Sequence, residues 1–308
     1  MKNIILDTDL DTDCDDMGAL ALLYRLEREG KCRVLGIVCD APVPAAAQCA
    51  RAVNAFYGRR DVPVGSFEAS APERYREYFE HRRRTGEAGK LYNESAARGY
   101  RAEIAATPAP EKAVTLYRRL LAESEDGSVT VAAIGLLNVI AELLDSGPCP
   151  ASPLTGRELL AAKVSELVVM AHGDYPAGRD RFNWRMDRCA AERVVNHVPV
   201  PLTVSPIGDA VFSGRRLMQC PSPHPVAEAY RQFLGPEALR PSWDPVVVLY
   251  SVCGTAGLFR LRRGSTIRFD AATGEHHWHD DSAGNRALLE PAVSPGELER
   301  RLEELMDY

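Results

Sequence analysis

Short apolar runs rich in β-branched residues recur along the chain, most of them followed by a polar or glycine-containing turn and a longer Ala/Leu-rich stretch with helical spacing. Ile4-Ile5-Leu6 precedes a helix running through Arg25 and Leu26. Arg33 to Asp40 precedes a helix from Ala45 to Tyr57, and Asp61-Val62-Pro63-Val64-Gly65 follows the turn Gly58-Arg59-Arg60. Val129 to Leu144 repeats the unit as strand, glycine turn and helix; Ser165–Met170 and Pro201–Ser205 are two further strands. Apolar runs without alternation read as parallel strands buried on both faces, so the pattern predicts an α/β fold with an open, mostly parallel sheet and helices on both faces. Thr266–Asp270, Gly274 and Trp278 predict a small C-terminal β-hairpin addition, and Pro295 to Met306 a final helix. Between Ser66 and Pro110 the pattern turns polar, which reads either as a lid over a ligand or as exposed helix.

Composition narrows this picture. The chain has 308 residues and 45% hydrophobic content, enough for a substantial core, and we read residues 1–308 as a single domain. A net charge of −6 gives no broad attraction to nucleic acid or anionic membrane, and Arg82-Arg83-Arg84 reads as a solvated face. Eight cysteines lie scattered without CxxC pairs, which predicts reduced core thiols in a cytoplasmic protein. No stretch reads as a signal peptide or membrane span.

The chemistry concentrates at the end of the first strand, where Asp7, Asp9, Asp11, Asp13, Asp15 and Asp16 fall within ten positions. Two carboxylates ~5 Å apart repel by roughly 3 kcal/mol at an effective dielectric near 20, and no Lys or Arg lies between Lys2 and Arg25. A divalent cation relieves that repulsion, and an all-oxygen donor set favours Ca²⁺ or Mg²⁺ over zinc. The simpler reading is a solvated turn whose aspartates cap the helix. An EF-hand loop does not fit, because neither Gly at its sixth position nor Glu at its twelfth is present. Cys14, inside this negative turn, reads as packing rather than as a nucleophile.

The stretch resembles the start of the inosine/uridine-preferring nucleoside hydrolase family, D-x-D-x-G-x-D-D. It fits best a longer branch motif, D-T-D-x-G-x-D-x-D-D, with Asp11 at the glycine position, a change that either alters the loop or adds a ligand. Three later segments extend the resemblance: Ile134–Leu144, Met170–Asp187 and Ser242–Tyr250. The resemblance implies the nucleoside hydrolase fold and a Ca²⁺ site formed by Asp9, Asp15, Asp16, Asp244 and the backbone carbonyl of Asn138, whose side chain reads equally as a helix N-cap. It implies that Asp9, or Asp13 if the longer loop rearranges, takes a proton from the attacking water, and that Asn183 binds ribose hydroxyls. Asp40 is a candidate contact or a helix cap. Arg181 replaces a family glutamate and Trp243 a family histidine, so Arg181 leaves room for an anionic or phosphorylated substrate and Trp243 for base stacking. His172 and His81 are the remaining candidates for activating the leaving base.

The implied activity is calcium-dependent hydrolysis of a ribonucleoside or related N-riboside, by a chain whose relatives are often dimers or tetramers. Two alternatives stay open: a metal-dependent nucleoside- or sugar-binding protein without turnover, and a Mg²⁺-dependent phosphatase using Asp7. His276, His277 and His279 alternate near Trp278, which reads as a partly exposed hairpin or a zinc pair.

Overall fold

In the computed structural model, residues 1–235 and 239–306 are described. The first strand, β1 (Lys2–Thr8), runs through the acidic turn into α1 (Asp15–Arg28), and β2 (Cys32–Cys39) leads to α2 (Pro44–Phe56). After β3 (Val64–Ser66) the polar segment forms α3 (Arg76–Glu87), α4 (Tyr92–Gly99) and α5 (Arg101–Ala105), and β4 (Glu111–Lys112) then leads to α6 (Ala113–Ala122). Next come β5 (Val129–Ala133), α7 (Asn138–Asp145), α8 (Gly156–Lys163), β6 (Val164–Met170), β7 (Ala177–Arg179), α9 (Asn183–Met186), α10 (Arg188–His197) and β8 (Leu202–Ser205). The last part holds β9 (Phe212–Ser213), α11 (Pro225–Leu234), β10 (Arg240–Pro241), α12 (Trp243–Cys253), β11 (Phe259–Asp270), β12 (Glu275–Asp280), β13 (Arg286–Pro291) and α13 (Pro295–Met306).

Eleven strands form one sheet in the order β4-β3-β2-β1-β5-β6-β8-β13-β11-β12-β7. Every neighbour from β4 to β13 is parallel. The chain builds β2, β3 and β4 outward from one edge of β1, then returns to the other edge with β5. That reversal opens a crevice beyond the carboxyl ends of β1 and β5, which is where open α/β sheets bind ligands. The acidic turn leaves β1 at this point.

β11 and β12 form the expected C-terminal hairpin, and β13, with Leu288 and Leu289 buried, inserts beside β8 in parallel and joins that hairpin to the main sheet. One expectation is refined. The segment after Ser66 is polar only on its outer faces. Tyr75, Tyr78, Tyr92 and Tyr100 are buried and pin it to the body of the fold.

α12 is apolar on all sides and buried along nearly its whole length, as a core helix should be. It packs on α1 and brings Asp244, in its first turn, to the start of that helix.

Candidate active site

The acidic turn is tightly bent. Leu10 (φ 43°) and Thr12 (φ 47°) lie in the left-handed region, at a cost of about 1–3 kcal/mol each. Asp11 does not, so the glycine it replaces is not missed for its backbone conformation. The residue that caps α1 is Cys14, which makes no side-chain cap, so helix capping does not account for the aspartates. Cys14 is buried, and burial with the neighbouring Asp15 and Asp16 pushes its thiol well above the ordinary value, consistent with packing.

Two of the six carboxylates find cationic protein partners from distant elements. Asp11 accepts hydrogen bonds from the Tyr78 hydroxyl (2.5 Å), Arg82 Nε (2.8 Å) and Asn93 Nδ2 (2.9 Å), and so clamps α3 and α4 over the turn. Of the two readings of Asp11, the structure supports the altered loop, with its carboxylate engaged by protein groups. Arg82 is correspondingly half-buried rather than solvated. Asp13 is ion-paired with Arg240.

The others have no such relief. Oxygen atoms of Asp15, Asp16 and Asp244 lie within 4.8 Å of one another, all three residues buried, and this is the candidate metal cluster among the described residues. The Asp244 N–H donates to Asp15 (3.2 Å), Thr8 Oγ1 and the Leu10 N–H donate to Asp16, and Asp244 Oδ1 has no partner. Asp9 is buried beside Asp16. Burial, the largest cause, pushes Asp16 up to about 6 and, with the charge of Asp16, Asp15 up to about 8; burial and the charge of Asp16 hold Asp9 well above the usual carboxylate range, and burial with the charges of Asp15, Asp16 and Asp9 does the same to Asp244. Both helix N-termini that meet here favour negative charge, but only partly offset that burial. A buried, all-oxygen donor set with an orphaned oxygen and no ion-pair partner among the described residues fits a hard metal ion.

The pH dependence follows from these directions. Between about pH 4 and pH 8 the folded form binds more protons than the unfolded chain, so stability in chelator falls as pH rises through that window. Thermal melts with and without Ca²⁺ are expected to diverge with rising pH; parallel curves would count against a cation at these carboxylates.

Asp40 and Asp7 face each other at the ends of β2 and β1. Asp40 Oδ2 accepts the Leu136 N–H (2.6 Å), and Tyr117 donates to Asp7 (2.9 Å). Burial, the largest cause, raises Asp7 to about 6 and, with the charge of Asp7, holds Asp40 well above the carboxylate range. Gly135 permits this approach, since a Cβ there would lie 2.2 Å from the Asp40 carboxylate. Asp7 is wholly buried in these contacts, which removes the geometry a phosphatase nucleophile requires. Asp40 holds the β5–α7 turn instead of capping α2, whose N-cap is Val43. Asn138 is the first residue of α7 rather than its N-cap, which is the left-handed Leu137 (φ 65°); its amide donates to Asp40 O and Tyr75.

A cavity of about 440 Å³ opens beside the cluster, lined on one wall by Met170, His172, Phe182 and Trp243 and on the other by α3 residues including His81 and Thr85. Of the residues singled out from sequence, Asp13, His172, Arg181, Trp243 and His81 line it directly. Asp9, Asp15, Asp16, Asp244, Asn138, Asn183 and Asp40 lie outside that lining. The Trp243 and His172 rings meet at a tilt of 42° with centroids 4.7 Å apart, and Gly208 makes room for the indole, a Cβ there falling 2.2 Å from Trp243 Cδ1. Asn183 donates to Ile134 O (2.7 Å), tying the segment after β6 to the β5–α7 turn. Asp180, not expected from sequence as a scaffold, accepts three backbone N–H groups, from His172, Phe182 and Trp184. Arg181, half-exposed on the cavity lining, is ion-paired with Asp174 (2.8 Å). His276 is buried against Tyr175 while His277 and His279 are exposed, as a partly exposed hairpin requires.

The profile of the inosine-uridine preferring nucleoside hydrolase family matches residues 4–277. The chain belongs to this family. It is therefore an N-glycosyl hydrolase of nucleosides. No curated protein sequence matches. The fold of this nucleoside hydrolase is similar to that of an inosine-guanosine nucleoside hydrolase (14% identity, TM-score 0.72, 100% of this chain and 99% of that one). It is also similar to the plant nucleoside hydrolase PpNRh1 (16%, 0.68, 99% of each) and to the effector protein XOO4466 (18%, 0.65, 99% and 93%). Among the described residues no helix is long and apolar enough to cross a membrane.

Proposed function

We propose that the protein hydrolyses the N-glycosidic bond of a ribonucleoside or related N-riboside in a calcium-dependent reaction, with Asp15, Asp16, Asp244, Asp9 and the backbone carbonyl of Asn138 as the ligand set. The observation that carries this is the buried Asp15–Asp16–Asp244 cluster, which makes no ion pair among the described residues and lies at the sheet's switch point next to a ligand-sized cavity. A hard cation bound there supplies positive charge that gathers a water and the sugar diol and makes the water easier to deprotonate.

The chain's own residues do the rest. Asp9 accepts the water's proton, a role that falls to it because Asp13 is engaged by Arg240. Trp243 presents an aromatic face for the base, and Asn183 and Asp40, through their bonds to Ile134 O and the Leu136 N–H, keep the turns beside the cluster in place. His172 and His81 are both held below the ordinary imidazole value, chiefly by burial, so both are neutral at pH 7 and serve as hydrogen-bonding walls.

Base release from a nucleoside panel, assayed in Ca²⁺ and in chelator, tests this reading; turnover undiminished in chelator contradicts it. Trp243→Ala is expected to raise KM by about 10- to 100-fold with a smaller change in kcat, since stacking on a base is worth ~1–3 kcal/mol. An unchanged KM would remove Trp243 from the base wall.

A further inference from the structure

Although the chain as a whole carries a net charge of −6, four cationic side chains, Arg84, Lys90, Arg181 and Arg240, line the cavity. Arg240 is paired with Asp13 and Arg181 with Asp174, which leaves Arg84 and Lys90. Arg84 and Lys90, at the end of α3 and just beyond it, have no carboxylate within ion-pair distance among the described residues. The other acidic groups nearby are committed elsewhere: Glu87 to Arg83, Glu94 to Arg82 and Asp174 to Arg181. The cations are also positioned. The Arg240 guanidinium lies over the rings of Phe233 (5.6 Å) and Trp243 (5.2 Å), and the Lys90 ammonium over Phe233 (5.2 Å).

An uncharged nucleoside gives this concentration of positive charge nothing to neutralise. Resting on the hydrolase reading above, we propose that the preferred substrate is an N-riboside bearing a phosphate ester, with the phosphate held at the rim by Arg84 and Lys90 and the sugar turned toward the carboxylate cluster. The division of charge favours that orientation: a dianion at the aspartates meets more negative charge, whereas at the rim it meets free cations. In the reaction the C1′–N bond breaks, a C1′–O bond forms to the water oxygen, and the base leaves with the electron pair and acquires a proton. The phosphate ester is untouched, so the products are free base and ribose phosphate.

The test compares inosine and uridine with their 5′-monophosphates, by base release and by calorimetric binding, in the wild type, the Arg84→Ala/Lys90→Ala double variant and Arg83→Ala. The wild type is expected to favour the monophosphates by about tenfold or more in kcat/KM, a charge-assisted hydrogen bond being worth that factor. The ratio should fall toward one in the double variant. Arg83→Ala, which removes a cation of the same helix outside the cavity, should keep it. Hydrolysis of the nucleosides in preference to the monophosphates, or a ratio unmoved by the double variant, overturns the inference and leaves the hydrolase reading standing. If none of the four compounds is cleaved, the hydrolase reading fails for these bases and binding decides: monophosphate affinity reduced about tenfold in the double variant supports the rim site, and absent or unaltered binding overturns it.

Discussion

Asp244→Asn is expected to lower base release by about 10³-fold or more while leaving the melting temperature in chelator nearly unchanged. The two halves of this result have one cause. Asp244 is buried among Asp15, Asp16 and Asp9, and burial with their charges favours its neutral form when no cation is bound, so the amide replaces that form with a neutral group of the same shape. With Ca²⁺ present the variant loses a ligand. Wild-type protein gains about 2.7 kcal/mol of stability at a hundredfold excess of Ca²⁺ over its dissociation constant, and the variant loses most of that gain. A side chain with a purely structural role predicts the opposite pattern, a melting temperature lowered equally with and without the ion. Paired melts in Ca²⁺ and chelator, together with the activity assay, separate the two.

The second large effect is expected at Asp11. Asp11→Ala leaves Arg82, Tyr78 and Asn93 without their common acceptor beneath α3 and α4, and breaking a buried charge pair of this kind costs about 3–5 kcal/mol. Arg82 retains Glu94 on its exposed side, which places the expected loss nearer ~2–4 kcal/mol. Because α3 carries His81, Arg84 and Thr85 of the cavity wall, KM should rise with the loss of stability. Denaturant unfolding and a KM measurement on Asp11→Ala check both. Unchanged stability would mean that the Asp11 clamp does not hold the segment down.

Where the sequence was legible, it was through local pattern. The βα units, the acidic turn after β1 and the Trp-Asp-Pro start of α12 are short-range signals, and the apolar stretch after Asp244 explains why that helix is a core element able to carry an aspartate inward. What stayed hidden depends on pairings far apart in the chain. Arg82 meets Asp11 and Arg240 meets Asp13 only after folding, so the turn looked bare of counter-charge when two of its six carboxylates are in fact matched. The aspartate at the glycine position, set beside a tyrosine- and arginine-bearing polar segment, was the available sign of that clamp. Asp180 was overshadowed by Arg181 beside it, though its role as acceptor for three backbone amides needs a loop geometry that spacing does not reveal. Not every thiol is in the core either: Cys189 is exposed, on the outer side of α10.

The central claim is that a single hard cation binds between the first turns of α1 and α12. Titration calorimetry of the chelator-treated protein with Ca²⁺ tests it most directly. One ion per chain, with binding lost in Asp244→Asn and in Asp16→Asn, is the predicted result. No heat of binding, or binding indifferent to both substitutions, contradicts it.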